Sequence, residues 1–92
     1  MELARFPGGE LVRKGLDDLA ASRDSEEALL VLIGAPRLRR AGFAVPEAGG
    51  QSPEHRLYQR LAAEDPDSAH SRYNALLRLL VSFENAIECA AR

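Results

Sequence analysis

Apolar positions recur at helical spacing along most of the chain, and the strict alternation that marks strands is almost absent. Between Glu10 and about Ala21, Leu11, Val12, Leu16 and Leu19 follow at steps of one, four and three. This places them on one helix face, with Arg13, Lys14, Asp17 and Asp18 mostly on the other. Gly15 falls on the apolar side. A mid-helix glycine costs about 1 kcal/mol relative to alanine, so its presence predicts close approach of a neighbouring helix. Asp24-Ser25-Glu26-Glu27 reads as the next helix start. Asp24 or Ser25 can accept from the free first-turn amides, Asp24 and Glu27 have capping-box spacing, and the glutamates suit the positive end of the dipole. The run Ala28–Ile33 carries no polar residue. Leu29–Ile33 also reads as a central strand, but the cap before it and Gly34 after it favour a helix buried on most sides.

Pro36 to Ala41 has the marks of a short helix, with proline in its first turn and Gly42 at its end. A loop follows, from Phe43 to Gln51, in which Phe43 and Val45 are expected to fold back onto the core. Gly49 and Gly50 are its best candidates for disorder. Ser52-Pro53 is a cap followed by proline at the first helical position. The helix it starts should run to about Glu64 with Leu57, Tyr58 and Leu61 facing inward. Asp65-Pro66 repeats the device and predicts a last helix from about Pro66 to Ala90, roughly 37 Å long. Ala69, Tyr73, Leu76, Leu80, Phe83, Ile87 and Ala90 form a heptad seam along it, widened by Leu77 and Leu79. Its opposite face (Asn74, Arg78, Val81, Ser82, Asn85, Cys89) is polar but weakly charged, which predicts contacts on more than one side.

These elements define an all-α fold: a small bundle of about four helices plus a short helical turn, with the long C-terminal helix at the centre. Residues 1–92 are read as one domain, with 1–9 as a lead-in and 46–52 as a loop. The seam is broader than so few short helices can cover. The expectation is therefore a homodimer in which Leu79, Leu80, Phe83 and Ile87 lie near the interface.

Composition adds exclusions. The chain has 92 residues, 46% hydrophobic and 28% charged, too apolar for wholesale disorder. Its net charge of −2 gives no general support for nucleic-acid binding. Twelve basic residues include one lysine, Lys14, an arginine bias of the kind a GC-rich genome produces. A single cysteine, Cys89, excludes an intramolecular disulfide. It falls near a helix C-terminus, where the dipole disfavours a thiolate, so an inert, partly buried residue is expected. No segment reaches the roughly 18 apolar residues of a membrane span. The start of the chain has no apolar signal region, so a soluble cytoplasmic location is expected.

Motifs that carry chemistry are scarce. His55 and His70 sit at the starts of two long helices, at opposite ends of an antiparallel pair, which argues against a shared metal. No His-Glu-x-x-His, Cys-x-x-Cys, Gly-x-Ser-x-Gly or Walker-type sequence occurs, so no metal, no cofactor and no catalytic group is expected. Two polar clusters remain. Arg37, Arg39 and Arg40 could pair with phosphate or carboxylate, or form a solvated basic turn. His70, Arg72, Asn74 and Arg78 could hold an anion or small ligand at the start of the last helix, or hydrogen-bond to neighbouring helices. The leading expectation is a non-enzymatic module for self-association or for a protein partner. A nucleic-acid-associated regulator using Arg37–Arg40 and an anion site at His70 are the alternatives.

Overall fold

The computed structural model describes residues 3–47 and 50–90. A 3-10 turn at Leu3–Arg5 leads into five helices: α1 (Gly9–Ala20), α2 (Glu26–Ile33), α3 (Ala35–Arg40), α4 (Pro53–Glu64) and α5 (Ala69–Ala90). Among the described residues there is no strand, and the fold is a small all-α bundle. Leu29–Ile33, strand in the competing reading, belongs to α2. The expectation of disorder at Gly49 lies outside the described residues, as do the first two residues of the lead-in.

Local chemistry explains the boundaries. Ser25 caps α2: its backbone is extended, and its Oγ accepts from Ala28 N at 3.0 Å. Ser52 caps α4 in the same way, accepting from His55 N at 3.2 Å, with Pro53 as the first helical residue. α1 closes with two backbone bonds, Arg23 N to Asp18 O at 2.7 Å and Ser22 N to Leu19 O at 3.1 Å. This is a Schellman motif with Ser22 in the left-handed position at φ 58°. α5 begins at Ala69, three residues after Pro66. Asp65 Oδ1 accepts from Asp67 N at 3.1 Å and Asp65 O from Ser68 N at 3.3 Å, so a side-chain-locked turn occupies the residues expected to be helical.

α2 is the hub. Ala28, Leu29, Leu30 and Val31 are buried, and the helix packs against α1, α3, α4 and α5. Gly15 sits at the crossing of α1 over α2, where an added Cβ would run into the Glu27 carbonyl and Val31 Cγ2. The close approach expected from the sequence is therefore present. The central position expected for α5 belongs instead to α2. α5 is the longest helix and closes the core with Ala69, Leu80, Phe83 and Ile87, but Arg78, Val81, Ser82, Asn85 and Cys89 on its other side are exposed. Cys89 is thus not the partly buried residue expected.

The burial of Leu80, Phe83 and Ile87 also corrects the expected dimer interface. Each is at most 3% exposed within one copy, so of the four interface candidates only Leu79, at 39%, reaches the surface. The cover comes from segments outside the long helices. Phe6, from the lead-in, meets Phe83 edge to face at 6.2 Å, and Phe43, from the loop after α3, meets it at 6.0 Å. Val45 is buried beside them, as expected. In α4, Leu57 and Leu61 are fully buried, whereas Tyr58 is 38% exposed. Tyr58 lies about 100° round the helix from Leu57, and its ring meets that of Tyr73 edge to face at 5.6 Å.

Candidate functional site

Two recesses along α5 share Leu77 and Val81. Asn74, Leu77, Arg78, Val81 and Ser82 line an open recess along the outer flank of the helix. The same Leu77 and Val81 form one wall of a second recess. Ile33, Gly34, Pro36 and Arg37 form its other wall, and Leu80 and Glu84 lie along its base. Helical spacing produces this strip: residues 74, 78, 81 and 85 recur at steps of four, three and four, with 77 beside them. Val81, at 45%, is the most exposed large apolar side chain among the described residues. Gly34 brings the two walls together. A Cβ there would stand 2.9 Å from Leu80 Cδ1 and 3.0 Å from Glu84 Oε2, so the bare backbone lets α5 press against the α2–α3 joint.

The C-terminal end of the strip is a polar clamp. Arg37 Nη1 donates to Glu84 Oε1 at 3.2 Å, Nη2 donates to Glu88 Oε1 at 2.7 Å and to Asn85 Oδ1 at 2.9 Å, and Nε donates to Glu88 Oε2 at 3.0 Å. The contact with Glu88 is a bidentate fork. Glu84 is only 5% exposed. Burial pushes its carboxyl above the usual range, against the downward pull of Arg37 and the more distant Arg40.

The two sequence-predicted clusters do not converge. Arg37 is committed to α5. Arg39 Nε and Nη2 donate to the carbonyls of Val45 and Pro46 at 2.9 and 3.2 Å, fastening the loop after α3. Arg40 is exposed and makes no hydrogen bond or ion pair among the described residues. In the second cluster, His70 Nε2 and Asn74 Nδ2 lie 3.1 Å apart. Arg72 turns the other way, about 200° round the helix from Asn74. It reaches Glu64 Oε2 at 3.2 Å and Glu26 Oε1 at 3.4 Å, tying α5 to α4 and α2. Arg78 is exposed with no ion pair among the described residues. Asn74 and Arg78 therefore belong to the flank, His70 borders it, and Arg72 is a structural strut.

Four carboxylates with shifted protonation were not singled out by sequence reasoning: Glu84, Glu26, Glu64 and Asp18. Glu26 is pushed up by burial and by contact with Glu64, whose own carboxyl is held down by that contact and by Arg72. Asp18 is buried and accepts from Lys14 Nζ, Ser25 Oγ and Arg23 Nε, which hold its carboxyl well below the ordinary range. Glu84 did leave a signal, as an acidic residue wedged directly beside Phe83 of the apolar seam. Among the described residues no group of acidic, histidine or cysteine side chains is arranged to hold a metal ion. Among the described residues no helix is long and apolar enough to cross a membrane.

No protein-family model matches this chain, and neither a curated protein nor a solved structure matches it.

Proposed function

We propose that the protein is a non-enzymatic cytoplasmic module that works by self-association, with the outer flank of α5 as its contact face. The observation that carries this reading is the pairing of Leu77 and Val81 with Asn74, Ser82 and an Arg78 that has no ion pair among the described residues, along one open stretch of helix. Interface centres are depleted of glutamate and lysine and enriched in arginine. Ser82, small and next to Val81, allows a second helix to come close. The occupant favoured is a second copy of the chain, because closed two-fold pairing sets one such flank against itself and leaves no apolar strip in water.

The reading replaces the interface expected from the seam. Leu80, Phe83 and Ile87 already serve the core of one copy, and the contact moves round α5 to the side carrying Val81. Sedimentation equilibrium tests it directly. The wild-type chain is expected to be dimeric at micromolar concentration, and Val81→Asp to be monomeric with an unchanged helical circular-dichroism spectrum. A wild-type monomer, or a Val81→Asp dimer of unchanged affinity, rejects the proposal.

A further inference from the structure

We propose that Glu26 and Glu64, bridged by Arg72, form a proton-operated latch at the junction of α2, α4 and α5, closed when one proton is shared between the two carboxyl groups. The latch stands apart from the outer flank of α5 and does not depend on self-association.

Three helix ends meet here. Glu26 is the first residue of α2, Glu64 is the last of α4, and Arg72 lies in the first turn of α5. Arg72 Nη2 stands 3.4 Å from Glu26 Oε1 and Nη1 stands 3.2 Å from Glu64 Oε2, so one guanidinium serves two carboxyl groups. The two carboxyl groups also touch each other. The other cations nearby have other partners. Arg60 pulls on Glu64 from α4 but bonds Asp24 at 3.1 Å, as Arg56 does at 3.2 Å. On the α1 side, Lys14 bonds Asp18 and Glu27, and Arg23 bonds Asp18. The arginines of α3 follow the far, C-terminal end of α2. Glu27 adds a further negative charge beside Glu26. With Glu26 and Glu64 both ionised, the junction holds two negative charges against the single positive charge of Arg72.

Two carboxylate ions present only acceptors to each other, so their contact is repulsive until one of them is protonated. Once protonated, that group donates a hydrogen bond to the other, and the pair keeps one negative charge, which Arg72 matches. Burial decides where the proton sits. The side chain of Glu26 is 24% exposed and that of Glu64 is 51% exposed, and the less hydrated group is the costlier one to ionise. The protonation directions agree: burial and the contact with Glu64 raise the Glu26 carboxyl above the ordinary 4.5, while the bonds from Glu26 and Arg72 lower that of Glu64. A raised carboxyl contributes stability that is full below 4.5 and is lost as pH climbs through the raised value. A lowered one contributes stability above 4.5 and loses it as pH falls. The junction is therefore tightest near pH 4.5, with one proton in the pair, and slackens both toward neutrality and in strong acid.

Melting curves of the full-length chain, taken at one protein concentration from about pH 8 down to about pH 4.5, test the latch. Glu26→Gln supplies a donor toward Glu64 without needing a proton. It is expected to melt about 3–5 °C above wild type at the neutral end, with the gap vanishing toward the acid end as wild type takes up its proton. Differences between the two proteins cancel the titration of Asp18 and Glu84, which both contain. Carboxyl-carbon NMR titration of the wild-type chain gives a second readout that does not rely on a variant. Glu26 and Glu64 are expected to shift together in two common steps, one above and one below 4.5. In Glu26→Gln, Glu64 is expected to titrate in a single step. A gap of the same size at both ends of the range, a Glu26→Gln chain that melts below wild type at about pH 8, or two unrelated single-step titrations in wild type overturns the proposal.

Discussion

Ser25 Oγ donates to Asp18 Oδ2 at 2.6 Å, so the residue that caps α2 also binds the buried carboxylate near the end of α1. Lys14 Nζ at 2.7 Å and Arg23 Nε at 3.0 Å complete the set of donors. The charged form of Asp18 is favoured in the fold, chiefly by the bonds from Lys14 and Ser25. A carboxyl depressed in the folded state adds stability that is present above its unfolded value and lost as pH falls below it. With an ordinary value of 3.8, the loss begins near pH 4 and grows below it. Asp18→Asn is expected to lower the melting temperature at neutral pH, with the gap to wild type narrowing in acid. An equal gap at neutral pH and in strong acid would contradict this account.

Ser22 ends α1 in a left-handed conformation, φ 58°, that residues with a Cβ adopt at a cost. Its two neighbouring backbone bonds hold it there, and its side chain is exposed. Ser22→Gly removes the strain but gives the unfolded chain more freedom. The net expectation is a gain of about 0.5–1 kcal/mol, read as a melting temperature several degrees higher. A lower melting temperature would show that the turn owes its shape to the serine itself.

Gly15→Ala sets two effects against each other. Helix propensity favours alanine by about 1 kcal/mol. The new Cβ, however, meets the backbone carbonyl of Glu27, which cannot swing aside as a side-chain tip can. Forcing helices apart in a packed core costs about 1–3 kcal/mol, so the steric term wins. Chemical denaturation should show a lower midpoint at unchanged slope. A raised midpoint would mean that the α1–α2 crossing can yield without loss.

The helices, two of their caps and the α1–α2 crossing were legible because each depends on residues close together in sequence. Ser25, Ser52 and Gly15 act on neighbours within a turn or on the adjacent helix. The hub was harder to see. α5 has the longer apolar period, but what covers its seam includes Phe6 and Phe43, which stand in segments with no period to read. The candidate surface was half legible: the weakly charged flank of α5 announced itself, while its extension to Ile33 and Pro36 depends on a helix joint made close by Gly34. The arginine clusters misled for a related reason. The partner of Arg37 is Glu84, 47 positions away, and no local spacing connects them.

That long-range pair carries the last prediction. Glu84 is buried, and burial raises its carboxyl above the ordinary 4.5 while Arg37 opposes the rise. Arg37→Ala removes the nearest compensating charge and leaves a carboxylate beneath Gly34 and Leu80. Glu88 loses both bonds of the fork as well, but it is exposed and water replaces them at little cost. The instability of the variant therefore tracks the ionised form of Glu84. A carboxyl whose folded value is raised destabilises the fold above that value, and the penalty fades as falling pH lets it take a proton. Arg37→Ala is expected to melt well below wild type at about pH 8, and the gap should close progressively toward about pH 5. Adding Glu84→Gln should remove the pH dependence of the gap, because no buried charge then remains to be neutralised. Melting curves for the three proteins across that range decide the matter: a gap that is flat with pH would place the cost in lost packing between α3 and α5 rather than in the stranded charge.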